Sequence, residues 1–496
     1  MVLGLALAAC SVMLLLSFLD KWQCTGPVFD TFGISADFGR LKNSNLCYTD
    51  IQQLWIGRGV REHLFPYVSG RLTDGQLVGG AIEYPVLTGL FMWVTGLPAH
   101  NDAQFLATSA LLLAPFGLVT TWLLVRLAGL RAMIWAAAPA LVFYGFLNWD
   151  LLVTAAFTVA VWCWSRGRFT VAAAWLGAGT ALKLYPALFV LPLVAARLVA
   201  GDRRGAGRVV LVSAGSYLMV NLPFILVNPT GWWATYEFQS MRGADVTTDS
   251  IWYWGFPHLG ASTVNHLSAT LIAMAWVVAL AYGWWRARSE GDYPWVQVSA
   301  AMLCAFLLFN KVHSPQYMLW LLPFFVLVRV RWGWWLGYMV FDALLFVGLF
   351  QWYHAVLEGD GGLGFGPALQ ATVLGVWGRA GMLALLFVVF LRSPSVLRVA
   401  RPSDQHSDQP SDPDGSPGAT ATDRASDRDA ARGWSGLPGS SGSSRSSGSS
   451  GSSGPSNIPS SSTPPAGSSA RRPRLAPVAR TTSRSGARMS RTTSAQ

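Results

Sequence analysis

The chain has 496 residues, 52% of them hydrophobic and only 12% charged, with a formal net charge of +11. That balance is too apolar for a soluble protein of this length and excludes a water-exposed globular domain over residues 1–392. The positive charge does not argue for nucleic acid, because much of it sits in short arginine loops and in the tail, where it sets membrane orientation.

The first apolar segment, residues 2–19, reads as an uncleaved membrane span. It has no basic stretch before it and no small-residue cleavage site after it. A start upstream of Met1 would supply the missing positive charges. Residues 20–84 form the longest polar interval before the tail. They contain Cys24 and Cys47, and a disulfide between them is open if this loop is extracytoplasmic. Cys10, Cys163 and Cys304 lie in apolar runs and read as small hydrophobes. No CxxC pair occurs, so neither a metal nor a cofactor is expected.

Apolar segments then recur at about 103–125, 132–147, 151–164, 169–182, 186–200, 209–227, 266–285, 295–309, 316–328, 333–352 and 371–391. Several are shorter than the roughly 20 residues that cross a bilayer upright, which a large bundle tolerates by thinning the membrane. Arginines alternate between loops: Arg126 and Arg131, then Arg166 and Arg168, Arg203, Arg204 and Arg208, Arg286 and Arg288, Arg329 and Arg331, and Arg392. The positive-inside rule makes those loops cytoplasmic and gives about 12 spans with both termini inside. The loops between them face outward. Parity then forbids a full span at residues 83–97, which reads instead as a re-entrant or juxtamembrane helix of the outer face. Many of the 24 tryptophans, such as Trp22, Trp149, Trp232, Trp233, Trp332, Trp334 and Trp335, fall near segment ends, where the headgroup region suits them.

From Pro394 the composition changes to Ser, Gly, Pro and Arg. Residues 393–496 read as a disordered cytoplasmic tail, because they cannot bury enough apolar surface to fold. The basic stretch 471–491 suits contact with anionic lipid, but a solvated tail is the simpler reading.

Charged groups near a membrane each require a reason. Asp50 stands at the start of a short amphipathic helix whose inner face is Ile51, Leu54 and Trp55. It is either an N-cap or a catalytic base. Glu83 precedes Tyr84-Pro85 and is either a first-turn acid or a substrate ligand. Lys183 is either a snorkelling lysine or an anion site, on the side where the topology disfavours basic residues. Residues 310–317 put Lys311, His313 and Gln316 in a second outer cluster, where a lysine suits a phosphate. Asp150, after Asn148-Trp149, reads as a cap. Arg58 and Arg61 share a helix face and suit either an acidic partner or a phosphodiester. One carboxylate base and several outer cations suit transfer of a sugar from a lipid phosphate. A glycosidase would want two paired carboxylates, for which Asp50 and Glu83 are the only pair in view. A polytopic transporter or lipid flippase is the alternative, although no internal repeat supports it.

Five short motifs carry a resemblance: Asp50-Ile51 with Leu54-Trp55; Phe65-Pro66-Tyr67; Glu83-Tyr84-Pro85; Leu182-Lys183-Leu184-Tyr185-Pro186; and Lys311-Val312-His313-Ser314-Pro315-Gln316-Tyr317. In this order, over residues 1–391, the chain resembles the GT-C superfamily of membrane glycosyltransferases. It looks closest to glycosyltransferase family 87, the polyprenol-phosphate-mannose-dependent mannosyltransferases of actinobacteria. The resemblance implies an all-α polytopic membrane protein of the plasma membrane, with a long first extracytoplasmic loop and an extracytoplasmic active site. It implies Asp50 as general base, with Glu83, Tyr84, Arg58, Lys183, Lys311, His313 and Gln316 as substrate ligands. The expected partners are a polyprenyl-phosphate sugar donor, a lipid or glycan acceptor and membrane lipids. The chain departs from the family pattern in having Glu83-Tyr84-Pro85-Val86 in place of a Tyr-Pro-Pro, and a single His313 in place of paired histidines. Those departures leave mannose as the default sugar and arabinose or another hexose open.

Overall fold

A computed structural model describes residues 1–358 and 366–397. The expected tail beyond 397 and residues 359–365 of the expected loop 353–370 lie outside the described residues. The rest is mainly helical, and the helices begin and end where local chemistry dictates. Asn101 caps the Asp102–Ala128 helix by accepting a hydrogen bond from the Gln104 amide. Asp202 caps Arg203–Val227 in the same way through the Gly205 amide. The Ala261–Glu290 helix stops at Gly291, whose φ of 80° is left-handed and costs glycine nothing.

Among the described residues, six helices are long and apolar enough to cross a membrane: Val2–Trp22, Asp102–Ala136, Arg203–Val227, Ala261–Glu290, Trp332–Val356 and Pro367–Arg392. The remaining apolar helices are shorter, among them Asp150–Ser165, Phe169–Thr180, Tyr185–Val199, Trp295–Phe309 and Pro315–Leu327. Of the about 12 expected spans, several of them short, six are thus long helices among the described residues. Every residue from Met318 to Leu327 is buried, and so is nearly all of Trp295–Phe309. Protein surrounds these short helices, so hydropathy alone overstates their reach. The expected span at 132–147 is broken into Met133–Ala136 and Pro139–Tyr144. Pro139 holds the preceding Ala138 in extended backbone at ψ 127°, so no continuous helix can pass.

The segment expected as a partial helix at 83–97 is an 11-residue helix, Val86–Gly96, well short of a span. Tyr67 fixes its start by donating from its hydroxyl to the carbonyls of Tyr84 (2.9 Å) and Pro85 (3.1 Å). The first loop also contains a hairpin that the sequence reading passed over, Arg71–Thr73 against Gln76–Val78. Asp74-Gly75 turns it, with both φ values positive, as a two-residue hairpin turn requires. Cys24 and Cys47 are disulfide-bonded, their Cα atoms 6.1 Å apart. Cys10, Cys163 and Cys304 are buried free thiols.

The arginine loops gather at one end of the helices. Arg131 donates to the carbonyls of Phe325, Val326 and Val328, and Arg286 donates to that of Leu391. At the same end Trp164 packs on Trp295, with ring centroids 5.7 Å apart. The candidate site residues lie at the other end of these helices.

Candidate active site

A cavity of about 770 Å³ opens at that second end. Asp50, Glu83, Tyr84, Lys183 and Gln316 all line it. Residues from four separate stretches of the chain thus meet in one place.

Asp50 is the first residue of the short Asp50–Gln53 helix. It is not the cap. Thr49 takes that role, its Oγ1 accepting from the Ile51 amide at 3.2 Å. The same hydroxyl donates to the carbonyls of Phe146 (2.8 Å) and Leu147 (3.1 Å), and the Asp50 amide donates to Leu147 at 2.8 Å. Backbone and cap being satisfied elsewhere, the Asp50 carboxylate is free to face the cavity. Tyr48 donates to its Oδ1 at 2.6 Å and the buried Asn148 amide donates to its Oδ2 at 2.6 Å. Asn148 also donates to the Tyr84 hydroxyl at 2.8 Å, which ties three motifs to one carboxylate. Burial raises the Asp50 carboxyl above its ordinary range, while the Tyr48 and Asn148 hydrogen bonds pull it back. The group is a stronger base than a surface aspartate and has both oxygens oriented.

Glu83 is bound in an ion pair with Arg58. It is not in the first turn of a helix, because Pro85 is the cap of Val86–Gly96. Arg58 and Arg61 do not share a helix face either. The Asp50–Gln53 helix ends before them, and Arg61 pairs with its neighbour Glu62 at 2.6 Å. Arg58 reaches the cavity only through Glu83.

Lys183 pairs with Asp150 Oδ1 at 2.7 Å, with the carboxylate side chain fully buried. It also lies over the rings of Tyr84 (5.3 Å), Trp320 (5.4 Å) and Tyr317 (5.8 Å). Asp150 is not the cap expected from sequence. Trp149 holds the cap position, and the Asp150 side chain accepts from Trp320 Nε1 at 2.6 Å. Trp149 is no headgroup residue; it is buried between Tyr84 and Phe105.

The 310–317 segment divides. Ser314 to Tyr317 line the cavity, so Gln316 is brought to the site. Lys311 and His313 are not. Lys311 donates to the Ser240 carbonyl at 2.9 Å. His313 is buried behind Tyr317, its ring stacked at 6.3 Å, and burial together with Arg379 holds it well below the usual histidine range. It stands as a neutral packing group behind the wall.

Lys42, Arg242 and Asp249 also line the cavity, and the sequence reading passed over all three as ligands. Lys42 donates to Gln53 Oε1 at 3.0 Å, and Arg242 to Thr247 Oγ1 at 3.4 Å. Neither forms an ion pair among the described residues, in contrast to Arg58 and Lys183. Both lie in loops read as outward-facing, where basic residues are disfavoured. Like Lys183, each is a basic residue on the side where the topology disfavours one.

The family model of glycosyltransferase family 87 matches residues 82–315. That segment, a little under half of the chain, is similar to glycosyltransferase family 87. The matched segment contains Glu83, Tyr84, Asn148, Lys183, Arg242 and Asp249, while Asp50 lies well before it and Gln316 directly after it. The match is thus to a glycosyltransferase family, in a chain with six long apolar helices among its described residues. Among solved structures it is similar to ArnT from Cupriavidus metallidurans, determined bound to undecaprenyl phosphate. The identity is 16%, the match covers 78% of this chain and 77% of that one, and the TM-score is 0.36. No curated protein sequence matches it.

Proposed function

We propose that the cavity transfers a sugar, mannose by default, from a polyprenyl-phosphate donor to a hydroxyl of a lipid or glycan acceptor on the outer side of the membrane. The observation that carries this reading is the Asp50 carboxylate. It opens on the cavity, is oriented by Tyr48 and Asn148, and among the described residues has no cation bonded to it. A base so placed takes the acceptor proton as that oxygen attacks the anomeric carbon. The bond from the anomeric carbon to the phosphate oxygen breaks, the polyprenyl phosphate leaves, and the configuration inverts. Lys42 and Arg242, which form no ion pair among the described residues, suit the phosphate, and Lys183 adds positive potential beside them.

Glu83 does not supply a second catalytic carboxylate in this reading. Its charge is bound to Arg58, which argues against a glycosidase pair. Instead the pair braces the start of the Val86–Gly96 helix, together with Gln239, which donates to the Glu83 carbonyl at 3.0 Å. The reading is tested by incubating purified protein with polyprenyl-phosphate mannose and an acceptor extract. Release of polyprenyl phosphate with mannosylated product supports it. Translocation of the donor across vesicles without release favours a flippase.

A further inference from the structure

Asp249 stands in the cavity wall on a loop that no motif marked. It is 3% exposed, and the described residues donate no hydrogen bond to its Oδ1. A buried carboxylate oxygen left without a donor costs free energy, so it calls for a partner that arrives from outside the protein. The backbone there is also unusual. Asp249 has φ 51°, in the left-handed region that few non-glycine residues occupy. The surroundings hold it in that conformation. Thr248 accepts from the His313 amide at 2.7 Å, Arg379 donates to the Asp249 carbonyl at 3.1 Å, and Thr248, Asp249 and Ser250 are all buried. Strain maintained this firmly is characteristic of a residue whose side chain must point to one place.

We infer that Asp249 accepts a hydrogen bond from a ring hydroxyl of the donor sugar and so helps to select that sugar. The inference rests on the reading of the cavity as a lipid-phosphate glycosyltransferase site. The donor rather than the acceptor is indicated by Arg242, which belongs to the same loop, lines the same cavity and lies close enough to stabilise the Asp249 charge. A donor's phosphate and sugar are joined through one oxygen, so the group next to a phosphate-holding cation is the donor sugar. A sugar hydroxyl also matches the carboxylate chemically, as a neutral donor that satisfies a buried acceptor without needing a counter-ion. Burial pushes the Asp249 carboxyl up to about 7, with Arg379 and Arg242 opposing, so a neutral partner suits it well.

The test is direct binding by the full chain in detergent, read as Kd from tryptophan fluorescence. The probes are polyprenyl phosphate, polyprenyl-phosphate mannose and its 2-, 3-, 4- and 6-deoxy analogues. Wild type is expected to lose about tenfold or more in affinity for one deoxy analogue. Asp249→Asn keeps a residue that tolerates the left-handed backbone. It is expected to bind polyprenyl phosphate as wild type does, to bind the mannose donor more weakly, and to lose nothing further with that analogue. An Asp249→Asn protein that discriminates among the analogues as wild type does overturns the inference and leaves the reading intact. Wild type that binds no polyprenyl phosphate lipid, with or without sugar, overturns the reading and the inference together. If Asp249→Asn and Asp249→Gly both lose polyprenyl phosphate binding and thermal stability, the residue is structural and the inference fails.

Discussion

Tyr48→Phe removes one hydrogen bond and little else. The Tyr48 hydroxyl donates to Asp50 Oδ1 at 2.6 Å, the short distance typical of a bond to an ionised acceptor. Such bonds contribute about 1.5–3 kcal/mol. The ring itself stays packed on Phe350, with centroids 5.4 Å apart, so the fold should hold. The sign follows from the site. Burial already raises the Asp50 carboxyl, and the Tyr48 bond is the first of the effects that lower it. A general base must be ionised, so activity falls as pH drops through that raised value. Without the hydroxyl the acidic limb of kcat/KM should move to higher pH. At a pH on that limb the loss should be about 10- to 100-fold, converting the bond energy at 1.4 kcal/mol per decade. At alkaline pH the gap to wild type should narrow. The assay is polyprenyl phosphate release as a function of pH. An acidic limb left where it is in wild type would refute the assignment of Asp50 as the group that titrates.

Other outcomes follow from the same geometry. Thr49→Ala loses the cap of Asp50–Gln53 and two bonds to the 146–147 backbone, so thermal unfolding in detergent should show a loss of about 1–2 kcal/mol. Lys183→Met leaves the fully buried Asp150 carboxylate without its cation and should cost about 3–5 kcal/mol in the same melt. Adding Asp150→Asn, which keeps an acceptor for Trp320, should restore most of that stability. Arg242→Gln and Lys42→Gln should each raise KM for the lipid-phosphate donor by about tenfold while leaving the acidic limb in place, because each removes a cation from the phosphate and not from the base.

The sequence carried the general plan because hydrophobic runs and arginine parity are local signals. Asp50, Glu83, Lys183 and Gln316 were legible in that way, as outer polar groups between apolar segments. What was not legible depended on pairing across the fold. Thr49 and Asp50 are both good caps, and only the position of the 146–147 carbonyls decides between them. The partnership of Lys183 with Asp150 joins residues from different helices, so neither neighbourhood announces it. Lys311 and His313 looked equivalent to Gln316, but the turn at Pro315 aims only the later residues at the cavity. Two signals were present and went unread: Asp74-Gly75 as a hairpin turn, and Pro139 as a break in residues 132–147. Lys42, Arg242 and Asp249 have no motif, and it is their meeting in one cavity that distinguishes them.

The central claim is that Asp50 is the base of a sugar transfer. It is tested most directly by comparing wild type with Asp50→Asn, which keeps an acceptor for Tyr48 while removing the charge. Both proteins are given polyprenyl-phosphate mannose and acceptor, and released polyprenyl phosphate is measured alongside donor binding. The account predicts that Asp50→Asn binds the donor, melts near wild type and releases no lipid phosphate. Release at the wild-type rate would contradict it.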